Sequence, residues 1–245
     1  MRRPMAAIAA GVMALALVPT TATGAGAAPA PTPSAAPAGY DATRCGNTSS
    51  RTLLTFDDWP YADPDRATRI GADLHARKIR AAFFLIGEYA GRRPDIVTTL
   101  REQGHWVANH SFSHPHLPVL SDDEVDMEIR NGVRSNLLRP PYGAFGQREE
   151  SAAAALGYRI CTWTVDTLDW EKPDGDAFRS VASIRSIVRN APVEDKYGGV
   201  VLGHLDYNFP DAVPGIIEDL EKDGYQLCAN NGPVAADAPL PLDCG

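Results

Sequence analysis

Two adjacent aspartates, Asp57 and Asp58, stand where a short apolar run that begins at Leu53 ends. Aspartate is common in the turns that follow strands, so the pair could be a solvated corner of the chain. Two neighbouring carboxylates can also do different work, because each environment sets its own pKa. One can then bind a metal while the other accepts a proton. Which role applies depends on the residues that the fold brings near this pair.

The segment NHSFSHPH contains two histidines, His110 and His114, at a spacing that lets both imidazoles face one ion. Alone the pair is a weak signal, but Asp58 would complete a set of two histidines and one carboxylate with positions left open for water and substrate. Such open sets are typical of catalytic rather than structural sites. Asp57 would then accept a proton from water, and His204 could donate one from the opposite side, since imidazole titrates near neutral pH. The other histidines are predicted to lie at the surface: His75, His105 and His116.

Apolar, β-rich segments alternate with helical patterns along the chain. The segments predicted to be strands span 51–56, 81–87, 105–109, 137–140, 158–166, 199–205 and 225–229. Helices are predicted after Asp63-Pro64, before Gly104, after the capping box that starts at Ser121, and over 213–223. Repeated alternation predicts a parallel sheet, either an open doubly wound sheet or a barrel that lacks one unit. In both folds the chemistry lies at the carboxyl ends of the strands, where the aspartates and histidines above are placed.

The first 27 residues have the features of an export signal. Arg2 and Arg3 precede an apolar stretch that is too short to span a bilayer comfortably, and small residues then end in an A-x-A pattern at 25–27. An Ala/Pro-rich linker is predicted over 28–39, followed by one folded domain over 40–245. We therefore expect a secreted protein that has no membrane attachment once the signal is cleaved.

The charge and the cysteines limit the class of partner and the compartment. The formal charge of −8 disfavours a polyanion such as nucleic acid and suits a neutral or cationic substrate better. Four cysteines in an exported chain predict two disulfides, with three pairings open among Cys45, Cys161, Cys228 and Cys244. No C-x-x-C pair is present, which argues against a zinc ribbon. We expect a monomer.

Five motifs occur in an order that resembles one known family. They are TFDDW, HSFSH, RPPYG, DTLDW and LGH, and the chain resembles the NodB-homology polysaccharide deacetylases, carbohydrate esterase family four, over roughly residues 50–230. The resemblance implies an α/β fold, a distorted (β/α) barrel of about seven parallel strands in a single domain. It also implies hydrolytic removal of acetyl groups from N-acetylated sugars, with one divalent metal, usually zinc, that cobalt should be able to replace.

The resemblance implies a role for each motif residue that carries a polar side chain. Asp57 would be the base, paired with Arg139, and His204 would be the acid, oriented by Asp169. The metal ligands would be Asp58, His110 and His114. This division matches the chemistry, because an amide needs a polarised carbonyl, an activated water and a protonated leaving amine.

The resemblance also implies which residues meet the substrate, with two departures from the family pattern. A backbone N–H at Tyr142 would help to hold the oxyanion, and Trp170 and Leu202 would line the acetyl pocket. Trp59 replaces a usual glycine; it either stacks on sugar at the rim of the cleft or packs under the following loop. In the last motif Gly203 replaces a usually bulky apolar residue, and Leu205 separates His204 from Asp206, which puts the shape of the acetyl pocket in question.

The sequence therefore predicts a secreted, metal-dependent deacetylase of N-acetylglucosamine-containing polymers or oligomers, of the chitin or peptidoglycan type. The nearest alternative is an esterase that removes O-acetyl groups from xylan with the same site. A sugar-binding protein without activity would not need the base, the acid and the three metal ligands together. We call these ligands, Asp58, His110 and His114, the metal set. A non-haem iron oxygenase would share the two histidines and the carboxylate, but would not need the Asp57–Arg139 or His204–Asp169 pairs.

Overall fold

The computed structural model describes residues 39–173 and 175–245, which belong to one compact unit. The predicted export signal and the linker up to residue 38 lie outside the described residues, so these domain limits stay predictions. Among the helices described, none combines the length and the apolar character that crossing a membrane requires.

Seven parallel strands form one sheet in the order β5-β4-β3-β2-β1-β7-β6. They are β1 (Leu53–Asp58), β2 (Ala81–Leu85), β3 (Trp106–Asn109), β4 (Leu137–Leu138), β5 (Arg159–Ile160), β6 (Val165–Asp166) and β7 (Val200–His204). The central strands β2 and β3 are buried along their whole length. Such continuous apolar runs are typical of a parallel sheet that is covered on both faces. The predicted parallel α/β fold is confirmed.

Eight α-helices connect and cover the strands in the described part of the chain. They are α1 (Arg66–Ala76), α2 (Gly87–Arg92), α3 (Pro94–Glu102), α4 (Asp122–Asn131), α5 (Gln147–Ala155), α6 (Val181–Asn190), α7 (Val193–Lys196) and α8 (Phe209–Lys222). The predicted capping box forms at the start of α4, where the Ser121 backbone N–H donates to Glu124 at 2.8 Å. Helix α8 begins before the predicted segment, at Phe209, and buries Ile216, Ile217 and Leu220 as the periodicity predicts.

The predicted strand 158–166 is wrong in one respect, because it forms two strands rather than one. Residues 161–164 leave the sheet, so β5 pairs with β4 at one end of the strand order and β6 pairs with β7 at the other. Four residues span at most about 14 Å, so the two end strands must approach each other. The sheet is therefore curled into a distorted (β/α) barrel, whose seam is this covalent connection instead of a ladder of hydrogen bonds.

The N-terminal segment 40–47 runs along this seam. The Tyr40 hydroxyl donates to the Ile160 carbonyl at 2.8 Å, and the Thr162 N–H donates to the Ala42 carbonyl at 2.8 Å. A disulfide between Cys45 and Cys161 fixes the segment there. Cys45 is 116 residues away from Cys161 in the chain. Because the break is stabilised by a contact so distant in sequence, the local alternation of 158–166 did not indicate it.

The predicted strand 225–229 is also wrong, since it forms only single bridges. Leu227 pairs with Thr52 and Ala229 pairs with Ile79, each immediately before or near the start of a strand. The segment thus crosses the amino ends of β1 and β2 instead of lying beside them. The second disulfide, Cys228–Cys244, ties it to the C-terminal residues, and so settles the pairing that the sequence left open. A further bridge joins Asn47 to Leu242.

Candidate active site

The carboxyl ends of the strands surround a cleft of about 580 Å³, a size common for small-molecule sites. Most of the residues that the sequence singled out line it: Asp57, Asp58, His110, His114, Tyr142, Trp170, Leu202 and His204. Arg139 and Asp169 are fully buried and contact lining residues from behind. The rule that chemistry lies at strand ends therefore located the cleft correctly.

Asp58, His110 and His114 converge with three potential ligand atoms that lie within 4.8 Å of one another. Asp58 Oδ1 lies 3.3 Å from His110 Nε2 and 3.2 Å from His114 Nε2. This oxygen is buried and accepts no hydrogen bond from the residues described. A buried carboxylate oxygen without a donor is costly, and a cation between the three groups would satisfy it. The donor set therefore fits a divalent metal, and two imidazoles with one carboxylate suit zinc.

The orientation of the two histidines also fits metal binding. His110 Nδ1 lies 2.8 Å from the Arg139 carbonyl, which leaves Nε2 directed toward Asp58. Burial opposes the charged form of His110, but the charges of Asp57 and Asp58 raise its pKa. Burial, with the neighbouring His110, lowers the pKa of His114 to about 4, which leaves it neutral at physiological pH. Burial works against ionisation of Asp58, but the adjacent histidines lower its pKa to about 2.

The backbone around these ligands is held in a rare conformation. Asp58, Ser111 and His114 have φ values of 74°, 62° and 64°, in the left-handed region that non-glycine residues seldom adopt. Local hydrogen bonds hold the turn: the Ser111 N–H donates to Asn109 Oδ1 at 2.8 Å, and the His114 N–H donates to Ser111 Oγ at 3.0 Å. Backbone strain that persists in this way is common at functional sites.

Glu128 of α4 also fixes the turn that carries the two histidines, a contact that the sequence did not predict. Its buried carboxylate accepts hydrogen bonds from the backbone N–H groups of Phe112 and Ser113 at 3.0 and 2.8 Å, and from the Ser113 hydroxyl at 2.7 Å. The only signal in the sequence is an acidic residue on the otherwise apolar face of a predicted helix.

Asp57 and Arg139 form a buried ion pair beside the metal ligands. Arg139 Nη1 lies 2.6 Å from Asp57 Oδ1, and the other carboxylate oxygen lies 3.7 Å from His110 Nε2. The guanidinium also donates to Thr55 Oγ1 and to the Thr162 carbonyl, each at 2.8 Å. Arg139 therefore joins β4, β1 and the seam, and it directs one oxygen of Asp57 toward the metal set.

His204 and Asp169 form a second pair in the same cleft. His204 Nδ1 lies 2.7 Å from Asp169 Oδ1, while the His204 backbone N–H donates to Asp169 Oδ2 at 2.9 Å. Burial alone would lower the pKa of His204, but the hydrogen bond and charge of Asp169, with the charges of Asp57 and Asp58, raise it to about 9. His204 can therefore carry a proton at neutral pH and donate it inside the cleft.

Trp59 does not lie at the rim of the cleft, so the expected sugar-stacking position is wrong. Its side chain is only 3% exposed and stacks on Tyr89 in the main core, at 6.0 Å between ring centroids. The packing alternative is the one observed. Tyr61 occupies the rim instead: it is 50% exposed, lines the cleft and meets Tyr89 edge-on. The sequence could not separate the two, because their positions are set by α2.

Gly203 does not shape the cleft, contrary to the question raised by the sequence. Side chains alternate along β7, so Leu202 and His204 face the cleft while residue 203 faces α8. A Cβ at position 203 would lie 2.0 Å from the Phe209 ring. The glycine therefore admits Phe209 to the core, and buried Leu202 remains in the wall of the cleft.

Two exposed aromatic side chains flank the open side of the cleft, Tyr142 and Trp170. Tyr142 has a φ of 61° and its ring packs against His114 at 4.7 Å. Both residues line the cleft as predicted, and flat apolar faces of this kind suit sugar rings. Tyr142 also covers one edge of the metal set.

His105 differs from its prediction as a surface residue. It is fully buried, with Nε2 2.8 Å from the Gly71 carbonyl and Nδ1 accepting from the Ala81 N–H at 3.2 Å. Burial lowers its pKa to about 4. It is therefore a neutral core residue that links β2 to α1. Its place at the start of a predicted strand did not indicate that it would be buried.

Comparison with known proteins finds polysaccharide deacetylases among the similar proteins. The family model described as polysaccharide deacetylase matches residues 46–161. A peptidoglycan-N-acetylglucosamine deacetylase of Bacillus cereus is 32% identical over 187 residues, 73% of this chain and 66% of the relative, so this chain spans slightly less than two thirds of it. A chitooligosaccharide deacetylase of Sinorhizobium fredii is 31% identical over 154 residues, 58% of this chain and 71% of the relative. In structure, a family 4 carbohydrate esterase from Streptomyces lividans in complex with acetate is similar with a TM-score of 0.63 at 29% identity, covering 77% of this chain and 98% of that chain.

Proposed function

Because this chain belongs to the polysaccharide deacetylase family, a family of hydrolases, we propose that it is a secreted, metal-dependent enzyme that removes N-acetyl groups from N-acetylglucosamine-containing polysaccharides or oligosaccharides. One observation carries the proposal. A three-residue metal set, the Asp57–Arg139 pair and the His204–Asp169 pair all meet in a single cleft. An inert sugar-binding protein would not need this combination.

The chain's own groups divide the proposed reaction between them. When bound by Asp58, His110 and His114, a divalent cation supplies a Lewis acid that polarises an acetyl carbonyl and lowers the pKa of a water molecule. Asp57, oriented by Arg139, accepts the proton of the attacking water. His204 donates a proton to the departing amine, because an amine leaves poorly unless it is protonated.

Positioning is the task of the surrounding residues. Asp169 holds the proton on His204 Nδ1, and this fixes the ring orientation that proton donation requires. Leu202 supplies an apolar wall for the acetyl methyl group, and the backbone N–H of Tyr142 would donate to the developing oxyanion. Zinc is the proposed metal, with cobalt as a working substitute.

The names of the relatives favour amide over ester chemistry, since they are deacetylases of N-acetylglucosamine units and of chitooligosaccharides. The xylan esterase alternative is therefore not favoured. The test is acetate release from chitooligosaccharides, peptidoglycan and acetylxylan, measured side by side with and without chelator. We expect release from an N-acetylated substrate that stops on chelation and returns with Zn²⁺ or Co²⁺. Full activity in a preparation shown to be metal-free by elemental analysis would overturn the mechanism.

Secretion is tested separately from the chemistry. Expression of the full chain in a bacterium should release a shorter protein into the medium, and N-terminal sequencing should place its first residue near position 28. Retention of an intact N-terminus inside the cell would contradict the secreted location and leave the activity unaffected. Sedimentation of the released protein tests the expected monomer.

A further inference from the structure

The cleft contains two carboxylates, Asp166 and Asp206, for which the proposed reaction has no use. The remaining aspartates at the cleft belong to the metal set or to the base. None of the described residues that line the cleft is a lysine or an arginine. The cleft therefore carries more negative charge than its chemistry requires, and this excess bears on which substrates it accepts.

Asp206 reaches the cleft directly after the end of β7, two residues beyond His204. Leu205 is fully buried in the core and its N–H donates to the Asp57 carbonyl at 3.0 Å, which extends the pairing of β7 with β1 by one residue. The chain bends over residues 205–208, and Asp206 lies in the lining of the cleft together with His204. Leu205, which the sequence marked as a departure, thus lies between the proposed acid and a further carboxylate of the cleft.

The Asp206 carboxylate is held in place by a hydrogen bond and not by an ion pair. Its Oδ1 accepts a hydrogen bond from the Tyr61 backbone N–H at 3.0 Å. The nearby cation, Arg66, donates instead to the carbonyls of Leu205 and Tyr207, each at 3.0 Å, and to Asp211. Arg66 therefore fixes the loop that carries Asp206, and no ion pair within the described chain includes the Asp206 carboxylate.

Aromatic side chains stand on both sides of this carboxylate. Tyr61 is 50% exposed and Tyr207 is partly exposed, and both line the cleft with Asp206. Their flat faces offer stacking surface to a sugar ring. A sugar unit that continues the chain beyond the reacting unit would meet an aromatic wall and a half-buried charge together.

Resting on the proposed function, we propose that Asp206 is a specificity-determining residue that binds the ammonium group of a glucosamine unit beside the reacting N-acetylglucosamine. The enzyme then prefers partially deacetylated, chitin-type chains to peptidoglycan. A carboxylate attracts the ammonium of a unit that has already lost its acetyl group, and it repels the free carboxylates that the peptides of peptidoglycan carry. Each turnover would create the group that favours the next one, so deacetylation would proceed in runs of neighbouring units.

The test compares kcat/KM for two chitin-type tetramers, one fully acetylated and one with a free amine on one unit. We expect the wild-type enzyme to favour the amine-containing tetramer by about tenfold, a ratio typical of a hydrogen bond to a charged group. Asp206→Asn keeps the acceptor for the Tyr61 N–H but removes the charge, and the ratio should fall close to one. Raising the ionic strength should reduce the wild-type ratio in the same direction.

Asp223→Asn is the matched control, because it removes one negative charge from an exposed position outside the cleft. It should keep the wild-type ratio. Binding of a glucosamine tetramer, measured by calorimetry in an Asp57→Asn background, gives a second readout that needs no turnover; adding Asp206→Asn should weaken it.

The outcomes separate the two proposals. No acetate release from any substrate would overturn the proposed function. Acetate release with an equal ratio in wild type and Asp206→Asn, or a preference for peptidoglycan over both tetramers, would overturn the role of Asp206 and leave the deacetylase function standing.

Discussion

At the scale of single residues, Asp57 and Asp58 are neighbours in sequence but have different partners, and substitution should separate their roles. Asp57→Asn keeps the size of the side chain and leaves the three-residue metal set intact, so the metal content should stay near one per chain. The value of kcat should fall by about 10²–10⁴, the usual contribution of a general base. Asp58→Asn should lose metal as well. Metal titration followed by calorimetry checks this, and identical titrations for the two variants would contradict the assignment.

Asp169 should control the pH dependence of activity through His204. His204 must be protonated to act as an acid, and its pKa of about 9 keeps it protonated at neutral pH. Activity should therefore fall as pH rises through about 9. In Asp169→Asn the raising hydrogen bond and charge are lost while burial remains, so this fall should move to lower pH. The alkaline limb of kcat/KM is the measurement, and a limb that does not move would show that another group sets it.

The same pair should contribute to stability with a definite sign. A pKa raised above its unfolded value stabilises the folded state fully below the unfolded pKa, and this contribution is lost as pH rises through the folded pKa. Wild type should therefore lose its stability advantage over Asp169→Asn between about pH 6.5 and pH 9.

The two aromatic residues near the start of the first helix should respond differently to truncation. Trp59→Ala removes a buried side chain from the core and should lower the free energy of unfolding by about 3–5 kcal/mol. Tyr61→Ala removes an exposed ring from the rim, so it should raise KM for long oligosaccharides with little change in Tm. Thermal unfolding and KM against chain length are the measurements. A stable Trp59→Ala with a raised KM for long chains would restore the sugar-stacking role.

At the scale of elements, α4 should hold the metal-binding turn through one side chain. Glu128→Ala removes the acceptor for three donors of residues 112 and 113, so the turn should lose its fixed geometry. Metal affinity should fall about 10- to 100-fold, as for other supporting contacts of metal ligands. Asp126→Asn is the control on the same helix, where the Asp126 side chain is partly exposed and pairs with Arg130. Calorimetric metal titration of both variants is the measurement. Equal metal affinities for the two variants would contradict a supporting role of Glu128.

The elements also show where sequence reasoning stops. Strand ends carry local signals, so the metal set, Asp57 and His204 could be assigned to one cleft from motif and alternation alone. Exposure is decided by other elements: Tyr89 of α2 determines that Trp59 is covered and Tyr61 is not. The break at 161–164 depends on Cys45, which lies 116 residues away in the chain. Neither contact has a counterpart in local periodicity.

At the scale of the whole molecule, the two disulfides should differ in effect. Cys45–Cys161 closes a loop of 116 residues and Cys228–Cys244 closes one of 16, so the first should contribute more, about 4.7 against about 3 kcal/mol in a chain-entropy account. Only the first lies at the seam, where the Cys161 carbonyl accepts from Arg139 at 3.1 Å. Replacing each pair by serines should therefore lower Tm in both cases but lower kcat mainly for the first. Equal loss of kcat in both variants would argue against a link between the seam and Asp57.

The bridge between Asn47 and Leu242 bears on where the enzyme can be joined to a solid surface or to a second domain. Residues near both positions lie at the amino side of the sheet, next to the starts of β1 and β7, whereas the cleft opens at the carboxyl side. A surface tether or a fused carbohydrate-binding module joined at exposed Gly245, whose carbonyl accepts from Arg51 Nε at 2.7 Å just before β1, would leave from the base of the barrel. An enzyme immobilised in this way would face a solid polymer with its cleft unobstructed.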